Sequence, residues 1–161
     1  MDVRSTEQRM ADLERIEAVK VLKYRYWRAC DDKDPEAFRA CFVSSEASID
    51  FGHLGRFDDA DRVTDVFRKI ALREVDGRPV VLDMHHGLHP HIVLRSDTEA
   101  SGTWTLHFRQ VDLLAKTETV SSGEYDDEYR IEDGRWRMSR CHYATRWSIT
   151  RPLTADTVVR P

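Results

Sequence analysis

The chain has 161 residues, enough for one domain with a single core and a small-ligand cavity. With 40% hydrophobic and 34% charged residues, and no apolar run near the roughly 18 residues a membrane span needs, it excludes a disordered chain and a helical membrane protein. A net charge of −4, from 25 basic residues interleaved with 29 acidic ones, argues against nucleic acid as the main partner.

The opening MDVRSTEQRMADLE carries no apolar stretch, so no secretory leader is expected. Three cysteines, Cys30, Cys41 and Cys141, are an odd set without CxxC spacing, which points to free thiols in a reducing cytoplasm.

From Thr6 to Asp31 the residues Met10, Leu13, Ile16, Val19 and Leu22 recur at helical spacing, with Ser5 or Thr6 as the cap. Asp34 then caps a second helix with Pro35 at its first position. Residues 47–51 read as a short strand, followed by the loop Gly52-His53-Leu54-Gly55. A third helix begins near Asp59 and packs through Val63, Val66, Phe67 and Ile70. Asp76-Gly77-Arg78-Pro79 is a turn. Four long strands follow, over 83–95, 99–113, 117–132 and 135–149, then a tail from Pro152.

Helices followed by an antiparallel meander predict an α+β fold in one domain, residues 1–151, with a tail at 152–161. Strands this long must twist, so the expected shape is a cone-shaped barrel. Its N-terminal helices pack in the concave face of a strongly curved, mostly antiparallel sheet. The hollow between helices and sheet would take a small apolar ligand.

Alternate strand residues share a face, so Trp104, Leu106 and Phe108 point inward and His107 outward. Tyr125, Tyr129 and Ile131 form the apolar face of the next strand. In the last strand the face of Trp136 and Met138 continues through Arg140, His142, Ala144 and Arg146. Either a bulge flips it or its far end lines a polar part of the cavity, and the second is preferred.

The densest chemistry is Asp83-Met84-His85-His86-Gly87-Leu88-His89-Pro90-His91. Parity from Leu88, Ile92 and Leu94 puts His86 inside, and a bulge at Gly87 would put His85 there instead. An inward His beside a carboxylate makes a general base, because the carboxylate fixes the imidazole tautomer. Asp31, at an end of the first helix where the dipole disfavours an acid, is the candidate; the plainer reading of Asp31 to Asp34 is a solvated turn. Tyr26 offers a phenolic donor, or simply packs beside Tyr24 and Trp27. His89 and His91 have the spacing of two metal ligands on one strand face, but no further ligand motif accompanies them and no metal is assigned. With no phosphate loop or dinucleotide fingerprint, no cofactor is expected.

The run Leu22 to Phe51 (LKYRYWRACDDKDPEAF…IDF), the later MHHGLHPHIVLRSDTEASGTW and the ending YRIEDGRWRMSR resemble SnoaL-like proteins of the nuclear transport factor 2-like superfamily. Among its enzymes, scytalone dehydratase, bile-acid 7α-dehydratase and lindane dehydrochlorinase share an Asp at the end of the first helix that supports a His on the first long strand. The resemblance implies that Asp31 and His85 are that pair, with a bulge near Gly87. It places Tyr26 where the bile-acid enzyme has a functional Tyr, and Arg146 near a functional Arg.

Where scytalone dehydratase has a second catalytic His this chain has Trp104, and Cys30 and Phe51 stand in place of two tyrosines, so scytalone itself is not the expected substrate. The implied function is a cofactor-independent lyase or isomerase, dehydratase-like, acting on a hydrophobic, cyclic small molecule. Its catalytic residues are Asp31, His85, Tyr26 and Arg146, and its binding residues Trp27, Cys30, Phe51, Trp104, Phe108, Tyr125 and His142. The alternative is a non-catalytic binding or assembly module, such as a ring-hydroxylating dioxygenase small subunit. A homo-oligomer, dimer or trimer, is expected through the outer sheet face.

Overall fold

A computed structural model describes residues 4–160; Met1 to Val3 and Pro161, at the ends of the expected domain and tail, lie outside the described residues. Helix α1 spans Thr6–Asp31, and Ser5 starts it with a capping box, its side chain accepting from Gln8 N–H while the Gln8 side chain accepts from Ser5 N–H. The helix stops in a Schellman arrangement: Lys33 turns left-handed at φ 59°, and Asp34 N–H donates to Ala29 C=O at 2.9 Å. The same Asp34 caps α2 (Pro35–Arg39) through Ala37 N–H. Asp31 is therefore held as the last helical residue, at a fixed place and angle.

The buried stripe of α1 is Val19, Leu22, Lys23, Tyr26, Trp27 and Cys30. Met10 and Leu13, expected on the apolar stripe of this helix, are exposed instead.

After the short strand β1 (Ser48–Asp50), a 3-10 turn (Gly52–Leu54) and β2 (Arg56–Phe57) comes helix α3 (Ala60–Ala71). A small hairpin follows, β3 (Glu74–Val75) with β4 (Arg78–Pro79), and then the meander β5 (Val81–Leu94), β6 (Glu99–Asp112), β7 (Thr117–Glu132) and β8 (Arg135–Pro152). The six-stranded sheet runs β2-β1-β8-β7-β6-β5, antiparallel except where β1 joins β8. As expected, helices pack on one side of a long, mostly antiparallel sheet.

Bulges decide which side chains look inward. On β5 the register slips between Leu88 and His91, with His89 at φ 51°, so the extra residue sits two positions beyond the expected Gly87. Before it Val81, Asp83 and His85 face the core; after it Ile92 and Leu94 do, which is why counting back from Ile92 selects the wrong histidine. Strand β8 carries two such slips, at Ser139 and at Arg146. The inward set therefore passes from Met138 to Cys141, Tyr143 and Thr145, and then to Ser148. The bulge reading of β8 holds, and the preferred continuation of Arg140, His142 and Arg146 into the cavity is overturned.

Glycines make room where aromatic rings cross the sheet. A Cβ on Gly87 would lie 1.9 Å from the Trp27 ring, and one on Gly123 would lie 2.3 Å from that of Tyr143.

Candidate active site

Between α1, α2, α3 and the concave sheet lies a cavity of about 720 Å³. Its helical wall is apolar: Val63, Val66, Phe67 and Ile70 of α3, with Phe38 of α2 stacked on Phe67 at 4.7 Å. Tyr26, Cys30 and Tyr125 form the floor, and Phe51, His53, Leu54 and Phe57 the rim. The sheet wall is mixed, with His85, Asp83 and Gln110 beside Leu106 and Phe108, and Thr119, Ser121, Thr145 and Ser148 further round.

His85 stands on this wall, and Asp31, outside the lining, is bonded to it. The ring Nδ1 lies 2.6 Å from Asp31 Oδ1, and His85 backbone N–H donates to Oδ2 at 3.2 Å. Strand β5 is the edge of the sheet, so alternate N–H groups have no strand partner, and the carboxylate takes one of them. These two bonds satisfy a carboxylate that the helix C-terminus disfavours. An ionised carboxylate only accepts, so Nδ1 carries the hydrogen and Nε2, across the ring, is the basic nitrogen. The ring packs against Phe108 with centroids 4.7 Å apart.

Tyr26 is almost fully buried, and burial pushes its phenol well above the ordinary value, with neighbouring Tyr125 adding to the effect. It keeps its proton and is available as a neutral phenol. Burial likewise pushes the Cys30 thiol up, so the thiolate is strongly disfavoured.

Of the residues singled out by sequence, His85, Tyr26, Cys30, Phe51, Phe108 and Tyr125 line the cavity, and Asp31, bonded to His85, lies outside that lining. Four others lie elsewhere. Arg146 stands on the outer face, 62% exposed and paired with Glu124 at 2.6 Å, because the β8 slip turns it out. His142 bonds the Ser48 hydroxyl at 2.8 Å, outside the cavity lining. Trp27 packs over Gly87, and Trp104 is core, its Nε1–H donating to Tyr129 at 3.0 Å. The β6 residue opposite His85 is Phe108. Among the described residues, no three His, Cys, Asp or Glu side chains are grouped as a metal would need, and His89 and His91 are exposed.

Sequence reasoning missed two features. Asp83 and Gln110 share the wall with His85; the in-register parity of Asp83 with His85 was the signal. Beneath the floor, Lys23 and Asp127 form a fully buried ion pair at 2.8 Å, with the Lys23 ammonium 3.6 Å from the centre of the Tyr125 ring. Burial pushes the Asp127 carboxyl up and Lys23 opposes it. Lys23 follows Val19 by four residues and Asp127 falls between Tyr125 and Tyr129, so each sits on an apolar face where a lone charge would be unstable.

A scytalone-dehydratase-like protein of Novosphingobium aromaticivorans is similar over 93% of this chain and 92% of its own, at 20% identity and a TM-score of 0.76. A hexachlorocyclohexane dehydrochlorinase, LinA type 2, is similar over 94% and 97%, at 14% identity and a TM-score of 0.77. A protein provisionally named an aromatic ring hydroxylase, also of Novosphingobium aromaticivorans, matches over 84% and 91%, at 17% identity and a TM-score of 0.72. Likeness at these identities establishes a shared fold. The SnoaL-like domain model matches residues 11–142, most of the length, and the chain therefore belongs to the SnoaL-like domain family.

Proposed function

We propose that this protein is a cofactor-independent lyase or isomerase acting on a hydrophobic cyclic small molecule. The observation that carries the reading is His85 on the wall of an aromatic-lined cavity, with the Asp31 carboxylate 2.6 Å from its ring. His85 Nε2 takes a proton from a carbon beside a carbonyl or beside a leaving group. The C–H electron pair then forms a C=C bond, either as the carbonyl π pair moves onto oxygen or as the leaving group departs with its own pair. Asp31 stabilises the imidazolium, and the Tyr26 phenol donates a hydrogen bond to substrate oxygen. Arg146 takes no part, since it lies on the outer face.

The fold is shared with a dehydrochlorinase and a scytalone-dehydratase-like protein, which suits elimination chemistry. The likeness to the protein provisionally named a ring hydroxylase favours the second reading, a non-catalytic binding or assembly module. That reading gives no use to a tautomer-fixed imidazole on a cavity wall. We also propose a homo-oligomer through the outer sheet face, where Trp147 and Ile149 are half exposed; light scattering measures it.

The deciding experiment follows deuterium exchange at carbon in a panel of cyclic ketones, and water or halide loss in the corresponding alcohols and chlorides. Asp31→Asn and His85→Gln should each lower the rate by about 10²–10⁴-fold while leaving the fold intact. Equal rates in wild type and Asp31→Asn sink the dyad, and no turnover across the panel favours the binding module.

A further inference from the structure

Two residues before His85, on the same face of β5, the Asp83 carboxylate lies on the cavity wall with both oxygens engaged from the side. Lys33 Nζ pairs with Oδ2, and Gln110 Nε2–H donates to Oδ1 at 2.8 Å. Lys33 comes from the Schellman turn that ends α1, and Gln110 is the cross-strand neighbour of Asp83 on β6. The Lys33 and Asp83 side chains are 10% and 12% exposed, so the pair is nearly buried and compensates its own charge.

Each carboxylate oxygen has two acceptor positions, so Oδ1 and Oδ2 each keep one after these contacts. Gln110 gives its NH₂ to Asp83, which leaves its carbonyl oxygen as another acceptor beside the cavity. This corner therefore offers acceptors where the opposite, helical wall offers only hydrocarbon. A ligand group that only accepts would leave them unmet, whereas a hydroxyl would satisfy one.

We infer that Asp83, fixed by Lys33 and Gln110, determines specificity by receiving a hydroxyl of the ligand. The selected class is a cyclic alcohol or phenol with its hydroxyl on the Asp83 side of the atom presented to His85. Two strand residues span about 6.6 Å, so a fused-ring skeleton reaches both groups. The inference names the substrate class of the site proposed above and rests on that reading only for what happens at His85.

The test uses β-naphthol and its O-methyl ether, which share a ring system and differ in the donor. Affinity is read from tryptophan fluorescence and checked by calorimetry. Wild type should bind β-naphthol at least about tenfold more tightly, as a hydrogen bond to a charged group allows. His85→Gln should keep that preference, because the hydroxyl is read at Asp83. Asp83→Asn should cut it to within about threefold, by exchanging a charged acceptor for a neutral one. If Asp83→Asn does not fold, the paired variant Lys33→Met/Asp83→Met, which leaves no lone charge, should bind both compounds alike.

The inference is overturned by equal wild-type affinities, by no binding of either compound, or by a preference that survives in Asp83→Asn and is lost in His85→Gln. It is also overturned if Asp83→Asn lowers thermal stability while selectivity stays unchanged, since the pair would then only fasten α1 to β5. A wild-type preference without any proton exchange would remove the catalytic reading and leave this one standing.

Discussion

Replacing Lys23 with Met tests the least expected feature of the core. The ammonium and the Asp127 carboxylate are both fully buried and lie 2.8 Å apart. After the substitution Asp127 retains the neutral Tyr129 hydroxyl on Oδ2, at 2.7 Å, and the neighbouring Cys141 thiol, but no cation. Removing one member of a buried ion pair costs about 3–5 kcal/mol, because the other stays buried and uncompensated. The ammonium also faces the rings of Tyr125, Tyr26 and Trp27 at 3.6, 4.6 and 5.3 Å, contacts that a thioether replaces only in part. In a domain of this length each kcal/mol moves Tm by about 2–4 °C, so the expected fall is roughly 6–20 °C.

Thermal unfolding followed by circular dichroism at fixed protein concentration measures it. Lys23→Met/Asp127→Leu removes both charges and should recover most of the loss. The pH dependence has a definite sign. An acid whose folded pKa is raised stabilises the folded state as pH falls and ceases to do so as pH rises through that pKa. Burial already raises the Asp127 carboxyl, and losing Lys23 raises it further. The deficit of Lys23→Met should therefore shrink as pH falls towards the ordinary carboxyl value of 3.8. A single variant within about 1 kcal/mol of wild type at neutral pH, or a deficit that does not change with pH, refutes the buried pair.

At Gly87 a methyl group would meet the Trp27 ring at 1.9 Å, so Gly87→Ala should cost about 1–3 kcal/mol by overpacking. Near-ultraviolet circular dichroism and urea unfolding detect it, and an unshifted midpoint would mean that the Trp27 ring is not seated there. All three thiols are buried, and burial pushes Cys41 up to about 11 and Cys30 and Cys141 higher still. A disulfide-exchange reagent at pH 8 should label none of them in the native protein and all three in urea; fast native labelling would show an open core. Stability should decline above about pH 9, where thiols of the unfolded chain ionise and buried ones do not.

Much of this architecture is local and was legible in the chain. Ser5 and Asp34 carry their helix starts in their own side chains, and Asp133-Gly134 carries the last hairpin turn, with both residues left-handed. Alternation along β6 placed Trp104, Leu106 and Phe108 inward and His107 outward, because that strand carries no inserted residue opposite β5 or β7 of its own. Asp31 and His85, the two residues matched to a family pattern, are brought into contact by the fold.

Parity fails wherever a strand gains one residue, since each insertion inverts every side chain beyond it. The slip at His89–Pro90 set His85 on the cavity wall and His86 outside. The slips at Ser139 and Arg146 took His142 and Arg146 out of a face that strict alternation would have given them. Pairings across the fold were equally hidden. Lys23 and Asp127 each stand as a single charge on an apolar face, and Lys33, Asp83 and Gln110 lie far apart along the chain with no pattern linking them. Composition and local pattern determined the elements and their order. Only the packed sheet decided which charges found partners and which side chains share the cavity, because both depend on register between strands and on where a helix end comes to rest.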